Sequence, residues 1–291
     1  MRWVLVNFSI ITPSFRNSKW LKLCIASVAD QEGVTFEHLV QDSCSDDGTQ
    51  DWLPQDKRVK AFIEKDSGMY DAINRGFHRA QGDIVAYLNC DEQYLPGALK
   101  HVHDFFAANP AVDAVFADTI VVNAEGHYLC HRKSLMPLAS HLWVRFSNLT
   151  CAIFLRRKCL EAKQLYFDTQ WRDLGDIFWV MDMVSRGVRC AVMDQFTSVF
   201  YDTGENMNLK PNAKREVELR KARTPKWIMR TWVLFVLIHR LRMLKSGAYF
   251  RRPFDFSIYT PGSPDKRVLE HAAKPTGRWP GRPTGLLPGS C

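Results

Sequence analysis

Three short acidic segments, QDSCSDDGT (41–49), EKDSGMYDAINRG (64–76) and LNCDEQYLP (88–96), each follow a stretch that reads as a β-strand. In an open α/β sheet, ligands bind beyond the carboxyl ends of the strands. Acids at three successive strand ends therefore converge on one crevice. In LNCDEQ, Asn89, Asp91 and Glu92 present hard oxygen donors where a buried strand ends. Mg²⁺ and Mn²⁺ favour such donors, generally taking one or two carboxylates together with substrate phosphates. Asp91 would also serve as a cap for the helix that follows. In QDSCSDDGT, Asp42 can accept from the N–H of a uracil, thymine or guanine edge, or it can close an Asx-type turn. EKDSGMYDAINRG puts acids and a glycine at the mouth of a helix, either as a solvated strand-to-helix turn or as part of a site for a charged ligand.

The elements that must hold these segments are legible from periodicity. VLVNFSII (4–11) is a near-continuous apolar run, the pattern of a strand buried on both faces. FEHLVQD (36–42), VKAFIEK (59–65) and DIVAYLN (83–89) read as the next three strands. Trp20, Leu21, Cys24, Ile25 and Val28 share one helix face, and Ile73, Phe77 and Ala80 share another. A further helix around 96–108 stops at Asn109-Pro110. AVDAVFAD (111–118) opens a strand, and a hairpin turns at 123–126. Strands alternating with helices predict an α/β domain with a mostly parallel sheet flanked by helices.

The chain has 291 residues, 46% hydrophobic and 24% charged, which suits a large core and excludes a disordered chain. Its eight cysteines are scattered with no C-x-x-C pair, so no zinc knuckle is expected and a reducing cytoplasm fits. MRWVLVNFSIITPSF reads as a first strand rather than a signal peptide. The net charge of +8 is concentrated late, with thirteen Lys or Arg against three Glu between Glu205 and Arg252. There, KWIMRTWVLFVLIHRLRMLK (226–245) flanks an apolar core with Arg and Lys. That core is far short of the about 20 apolar residues a bilayer span needs. The segment either lies on a membrane surface, at the inner face, or packs on the domain. Its basic residues alternate with Leu, Val, Ile and Trp instead of forming a polar face, so nucleic acid is not an expected partner. The expected organisation is an α/β domain over 1–204, a basic amphipathic helical extension over 205–260 and a disordered tail over 261–291.

Taken in order, SIITPSFRN, QDSCSDDGT, EKDSGMYDAINRG and YLNCDE resemble the family 2 glycosyltransferases of the GT-A fold, across about residues 8 to 204. The third block is close to the E-x-D-x-G-x-Y-D-A-x-N-x-G pattern of the subgroup that decorates bacterial polysaccharides and glycolipids. The resemblance implies a nucleotide-sugar-binding half over 1–118 and an acceptor half over 119–204. It implies inverting transfer of a sugar from a nucleotide-diphosphate donor to a hydroxyl of a glycan or lipid-linked acceptor, with Mn²⁺ or Mg²⁺ as cofactor. By the same resemblance Thr12 and Pro13 lie beside the nucleotide and Asp42 reads the base. Asp66, Gly68, Tyr70, Asp71 and Asn74 line the donor side. Asn89 and Asp91 hold the first and last positions of the D-x-D metal motif, with Glu92 beside them. The base is expected at the start of the helix in RDLGDIFWVMDMVSRG (172–187), with Asp176 the best match ahead of Asp173 and Asp182. TCAIFLRR (150–157) resembles the strand supporting the acceptor pocket. Asn89 and Glu92 depart from the commoner acids, so a catalytically decayed sugar-nucleotide-binding protein is the alternative, with a basic nucleic-acid-binding protein behind it.

Overall fold

A computed structural model of the chain describes residues 7–204 and 211–279. Strands β1 (Phe8–Ser14), β2 (Phe36–Asp42), β3 (Lys60–Ile63) and β4 (Ile84–Tyr87) form a parallel half-sheet in the order β3-β2-β1-β4. Every residue of β1 is buried, as a central strand covered on both faces requires. The register pairs Ser14 with Asp42, Asp42 with Ile63 and Ile11 with Tyr87. The four strands thus end together, and the three acidic segments leave the sheet along one edge. Residues 4–6 of the expected first strand lie outside the described residues.

Beyond β4 the sheet is mixed. Strand β8 (Ile153–Arg156) runs antiparallel between β4 and β6 (Ala114–Asn123). Strand β6 pairs parallel with β9 (Cys190–Asp202), and β5 (Glu92–Tyr94) lies antiparallel on β9. Strand β7 (Tyr128–Arg132) returns from β6 through the expected turn, where Gly126 donates to Asn123 O at 3.0 Å. Alternation along the strands divides the core. Ile11, Val85 and Tyr87 face helices α3 (Met69–Arg79) and α7 (Gly175–Ser185). Ile10, Ile84 and Ala86 face α1 (Ser18–Ala29) and α4 (Ala98–Ala108). The short helices α2 (Thr49–Trp52), α5 (Ala139–Leu142) and α6 (Arg157–Ala162) complete the domain.

The C-terminal third departs from the sequence reading. Helices α8 (Pro211–Arg223), α9 (Lys226–Arg230) and α10 (Trp232–Lys245) are present, but a hairpin follows, β10 (Phe254–Thr260) and β11 (Ser263–Ala272). The tail expected to be disordered from 261 is therefore a strand as far as Ala272. Phe256, Ile258 and Ala272 cover Ile120, Val122, Val199 and Tyr201 of the main sheet. The Gln93 amide exchanges two hydrogen bonds with the Tyr259 backbone, at 2.8 and 2.9 Å. Arg267 pairs with Asp30 at 2.5 Å. Further on, Trp279 donates to Asp202 at 2.6 Å. Pro and Gly composition suggested disorder, whereas the apolar alternation of Phe254, Phe256 and Ile258 needed a sheet face to cover. Residues 280–291 lie outside the described residues. Among the described residues no helix is long and apolar enough to cross a membrane.

Candidate active site

The loops beyond β1 to β4, the start of α7 and parts of α8 and α10 line one cleft of about 1510 Å³. Of the residues singled out from the sequence, Pro13, Asp66, Gly68, Tyr70, Asn89, Asp91, Glu92, Asp173 and Asp176 line it. Thr12, Asp42, Asp71 and Asn74 do not, and each is committed to its surroundings. Thr12 is fully buried, its hydroxyl 2.9 Å from His38 Nε2. Asp42 is also fully buried and accepts from the Ser45 N–H at 2.8 Å and hydroxyl at 2.7 Å, so the Asx-type turn is what forms and Ser43 faces the cleft instead. Asp71 accepts from the Ser67 N–H and pairs with Arg75, both at 2.9 Å, fixing the first turn of α3. The Asn74 amide is bonded twice to the Phe167 backbone, at 2.8 Å each way. At an element end a short polar side chain satisfies nearby backbone N–H groups, as Asp42 and Asp71 do.

The remainder of EKDSGMYDAINRG builds the wall of the cleft. Asp66 accepts from the Gly68 N–H at 2.9 Å, and Gly68 sits at φ 133°, a conformation open to glycine alone. Buried Tyr70 stacks on Phe167 with ring centroids 4.8 Å apart. Its hydroxyl accepts from the Asp176 N–H at 3.2 Å. Gly175 lies flat on the same ring, where an added Cβ would come within 2.5 Å of it. The tyrosine of one motif thereby fixes the helix start that carries the next.

Asp176 accepts from the Ile177 N–H at 2.8 Å, and burial pushes its carboxyl up to about 6. Asp173 accepts from the Asn212 amide at 2.7 Å. Asp182 pairs with Arg186 at 2.9 Å and does not line the cleft. At the other strand end, burial raises Asp91 to about 6. Glu92 is turned inward: it is buried, accepts from the Asn89 N–H at 2.8 Å, and is raised to about 8 by burial and then by Asp91. It holds the turn from Asn89 to Glu92. Asn89 Oδ1 is buried without a hydrogen-bond partner. Among the described residues no group of three His, Cys, Asp or Glu could hold a metal. One carboxylate beside an orphaned amide oxygen fits Mg²⁺ or Mn²⁺ whose shell is completed by substrate phosphates.

Two residues lining the cleft, Phe15 and Arg220, and one bonded to its wall, Glu216, were missed in the sequence. Phe15 is 48% exposed at the cleft, with Arg16 and Lys65 cations 5.0 and 5.7 Å from its ring. A large aromatic directly after a buried strand was the available signal. Glu216 and Arg220 reach the same region from α8, and nothing local distinguishes them from solvated neighbours such as Glu218 and Lys221.

The family described as "Glycosyl transferase family 2" matches residues 9–161, which carry all three acidic segments. Among known proteins, the "Putative teichuronic acid biosynthesis glycosyltransferase TuaG" of Bacillus subtilis is 35% identical over 102 residues, 33% of this chain and 40% of that one. A "PGL/p-HBAD biosynthesis glycosyltransferase" of Mycobacterium tuberculosis is 32% identical over 120 residues, 39% of this chain and 47% of that one. The "Succinoglycan biosynthesis protein ExoO" of Rhizobium meliloti is 26% identical over 209 residues, 64% of this chain and 58% of that one. The chain therefore spans under two thirds of each relative's length. Among solved structures, S. aureus TarS shares the fold with TM-score 0.58 at 16% identity, over 74% of this chain and 39% of that one. A shorter TarS structure in complex with UDP-GlcNAc gives TM-score 0.55 at 17% identity, over 68% and 59%. The sheet is thus the GT-A sheet, and with the matched region running from β1 into α6 the chain belongs to glycosyl transferase family 2.

Proposed function

We propose that the cleft binds a nucleotide-diphosphate sugar and transfers its sugar to a hydroxyl of a glycan or lipid-linked acceptor. The observation that carries this reading is the meeting of the Asn89–Asp91 turn and the half-buried Asp176 carboxylate in one cleft. The TarS structure with UDP-GlcNAc supports a nucleotide-sugar donor, and the names of the TuaG and ExoO relatives support an acceptor in polysaccharide biosynthesis. The exposed Phe15 ring offers a stacking face for the base. Asn89 and Asp91 would hold Mn²⁺ or Mg²⁺, which when bound neutralises charge developing on the departing diphosphate. Asp176 takes the proton of the acceptor hydroxyl as its oxygen attacks the anomeric carbon. The family resemblance supports inversion there.

A thermal-shift panel of UDP-, GDP- and TDP-sugars with and without Mn²⁺ tests this reading, because a bound donor raises apparent stability. At least one donor is expected to stabilise the protein in a metal-dependent way and to be consumed when acceptor is added. No stabilisation by any of them would reject it.

The acceptor side is apolar. Helix α10 buries Phe235, Val236 and Met243 against the domain. Leu234, Leu237, Leu241 and Leu244, spaced three and four apart, remain exposed, and the last three line the cleft. Lys226 and Arg230 on α9 and Arg240 and Lys245 on α10 are also exposed. The arrangement supports peripheral binding at an anionic membrane surface, from which a lipid-linked acceptor enters. Each basic residue near such a surface contributes about 1 kcal/mol, and salt weakens it. The double substitution Leu237→Glu with Leu241→Glu leaves the packed face of α10 untouched. It is expected to abolish co-sedimentation with phosphatidylglycerol liposomes at low salt. Equal partition of the variant and the wild type would confine α10 to packing.

A further inference from the structure

Helix α8 comes from the basic C-terminal third, yet it places one charged side chain, Arg220, in the wall of the cleft and buries a second, Glu216, on the same helix. Glu216 and Arg220 are one helical turn apart, and each is only 4% exposed. An i,i+4 Glu and Arg ordinarily pair. These do not, because the Glu216 carboxylate is fully engaged elsewhere. It accepts from the backbone N–H groups of Arg172, Asp173 and Leu174 at 2.7, 3.0 and 2.8 Å, and from the Asn212 amide at 3.0 Å. Glu216 thus caps the loop that enters α7 and orders the approach to Asp176.

Arg220 is left as a buried cation lining the cleft. Its Nε has no hydrogen-bond partner, and among the described residues Arg220 forms no ion pair within 4.0 Å. Asp176 feels its charge without bonding to it. A buried guanidinium with an unused donor costs stability unless something anionic completes it. The planar fork of arginine matches phosphoryl oxygens, to which it can donate two parallel hydrogen bonds. We infer that Arg220 is an anion-binding residue of the cleft, taking the phosphoryl oxygens of a substrate. This rests on the glycosyltransferase reading above. Two sources carry that chemistry: the diphosphate of the donor and the phosphate of a lipid-linked acceptor.

Arg220→Met tests the inference, since it keeps the length of the side chain and removes the charge. Replacing an uncompensated buried charge by an apolar side chain is neutral or stabilising, so the variant is expected to melt no lower than the wild type. Should it fail to fold, Arg220→Gln is read in the same way. Calorimetry would compare wild type and variant with UDP plus Mn²⁺ in one arm and with dodecyl phosphate in the other. Loss of a charged hydrogen bond is expected to weaken one of these by roughly 10- to 100-fold. Weakening confined to UDP assigns the donor diphosphate, and weakening confined to dodecyl phosphate assigns the acceptor. Unchanged affinity in both arms, with only the acid limb of the pH–rate profile displaced, would overturn the inference and leave Arg220 as a charge neighbour of Asp176. If the wild type binds neither probe, this inference falls together with the glycosyltransferase reading. Wild-type binding with an unaffected variant sinks the Arg220 assignment alone.

Discussion

Asp176→Asn is expected to leave donor binding intact while lowering turnover by about 10²- to 10⁴-fold, the range in which a general base contributes. The amide keeps the shape of the carboxylate and can still accept the Ile177 N–H bond now held at 2.8 Å. Only proton acceptance is lost. With burial raising the carboxyl to about 6, Asp176 is ionised at neutral pH and protonated at pH 5. The kcat/KM profile should therefore climb through about pH 6 to a plateau, and this limb should vanish from the residual activity of the variant. Stability carries a second signature. Between the ordinary carboxyl value of 3.8 and the folded value near 6, the folded chain keeps a proton that the unfolded chain has released. The contribution of Asp176 to stability therefore falls as pH rises through that window. Asp176→Asn removes this loss, so the inactive variant should melt higher than the wild type at pH 7. Asp173 is bonded to Asn212, and its amide variant should retain most activity. An inactive Asp173→Asn beside an active Asp176→Asn would name the other carboxylate as the base.

Asp91→Ala is expected to abolish both transfer and the metal-dependent part of donor binding. Asn89 offers one neutral amide oxygen, and the Glu92 carboxylate at the same cleft is already occupied by the Asn89 N–H. A donor present at 100 times its Kd adds about 2.7 kcal/mol of apparent stability, and that Mn²⁺-dependent increment should be missing from the melting curve of the variant. The protein without ligand should be at least as stable as before, because a carboxyl held near 6 by burial has been removed. Glu92→Gln supplies the contrast. Its amide oxygen can still accept the Asn89 N–H, so metal-dependent donor binding should persist. Full Mn²⁺-dependent stabilisation of Asp91→Ala would reject the assignment of this residue to the metal.

Some of this protein is written in local sequence. The apolar runs of β1 and β4, the stripe of α3 and the turn at 123–126 depend on neighbours within one element, so the parallel half-sheet and the edge carrying the acidic segments could be read directly. The cleft positions of Asp66, Gly68, Asn89, Asp91 and Asp176 were expected from the resemblance to family 2 glycosyltransferases. The tertiary structure decided which polar residues are free to act. Thr12 and Asn74 are engaged by groups that only folding brings to them, His38 and the Phe167 backbone, whereas Asp42 and Asp71 close local turns with Ser45 and Ser67, three and four residues away. It also decided the fate of the C-terminal third. The stretch 254–272 becomes a hairpin because the outer face of β6 and β9 is apolar and must be covered. Arg220 enters the active cleft because Glu216, which would have paired with it in an isolated helix, is drawn to the open N–H groups before α7. Periodicity records what a residue buries. Which partner a polar group finds depends on distances between segments far apart in the chain, and only the assembled fold sets those.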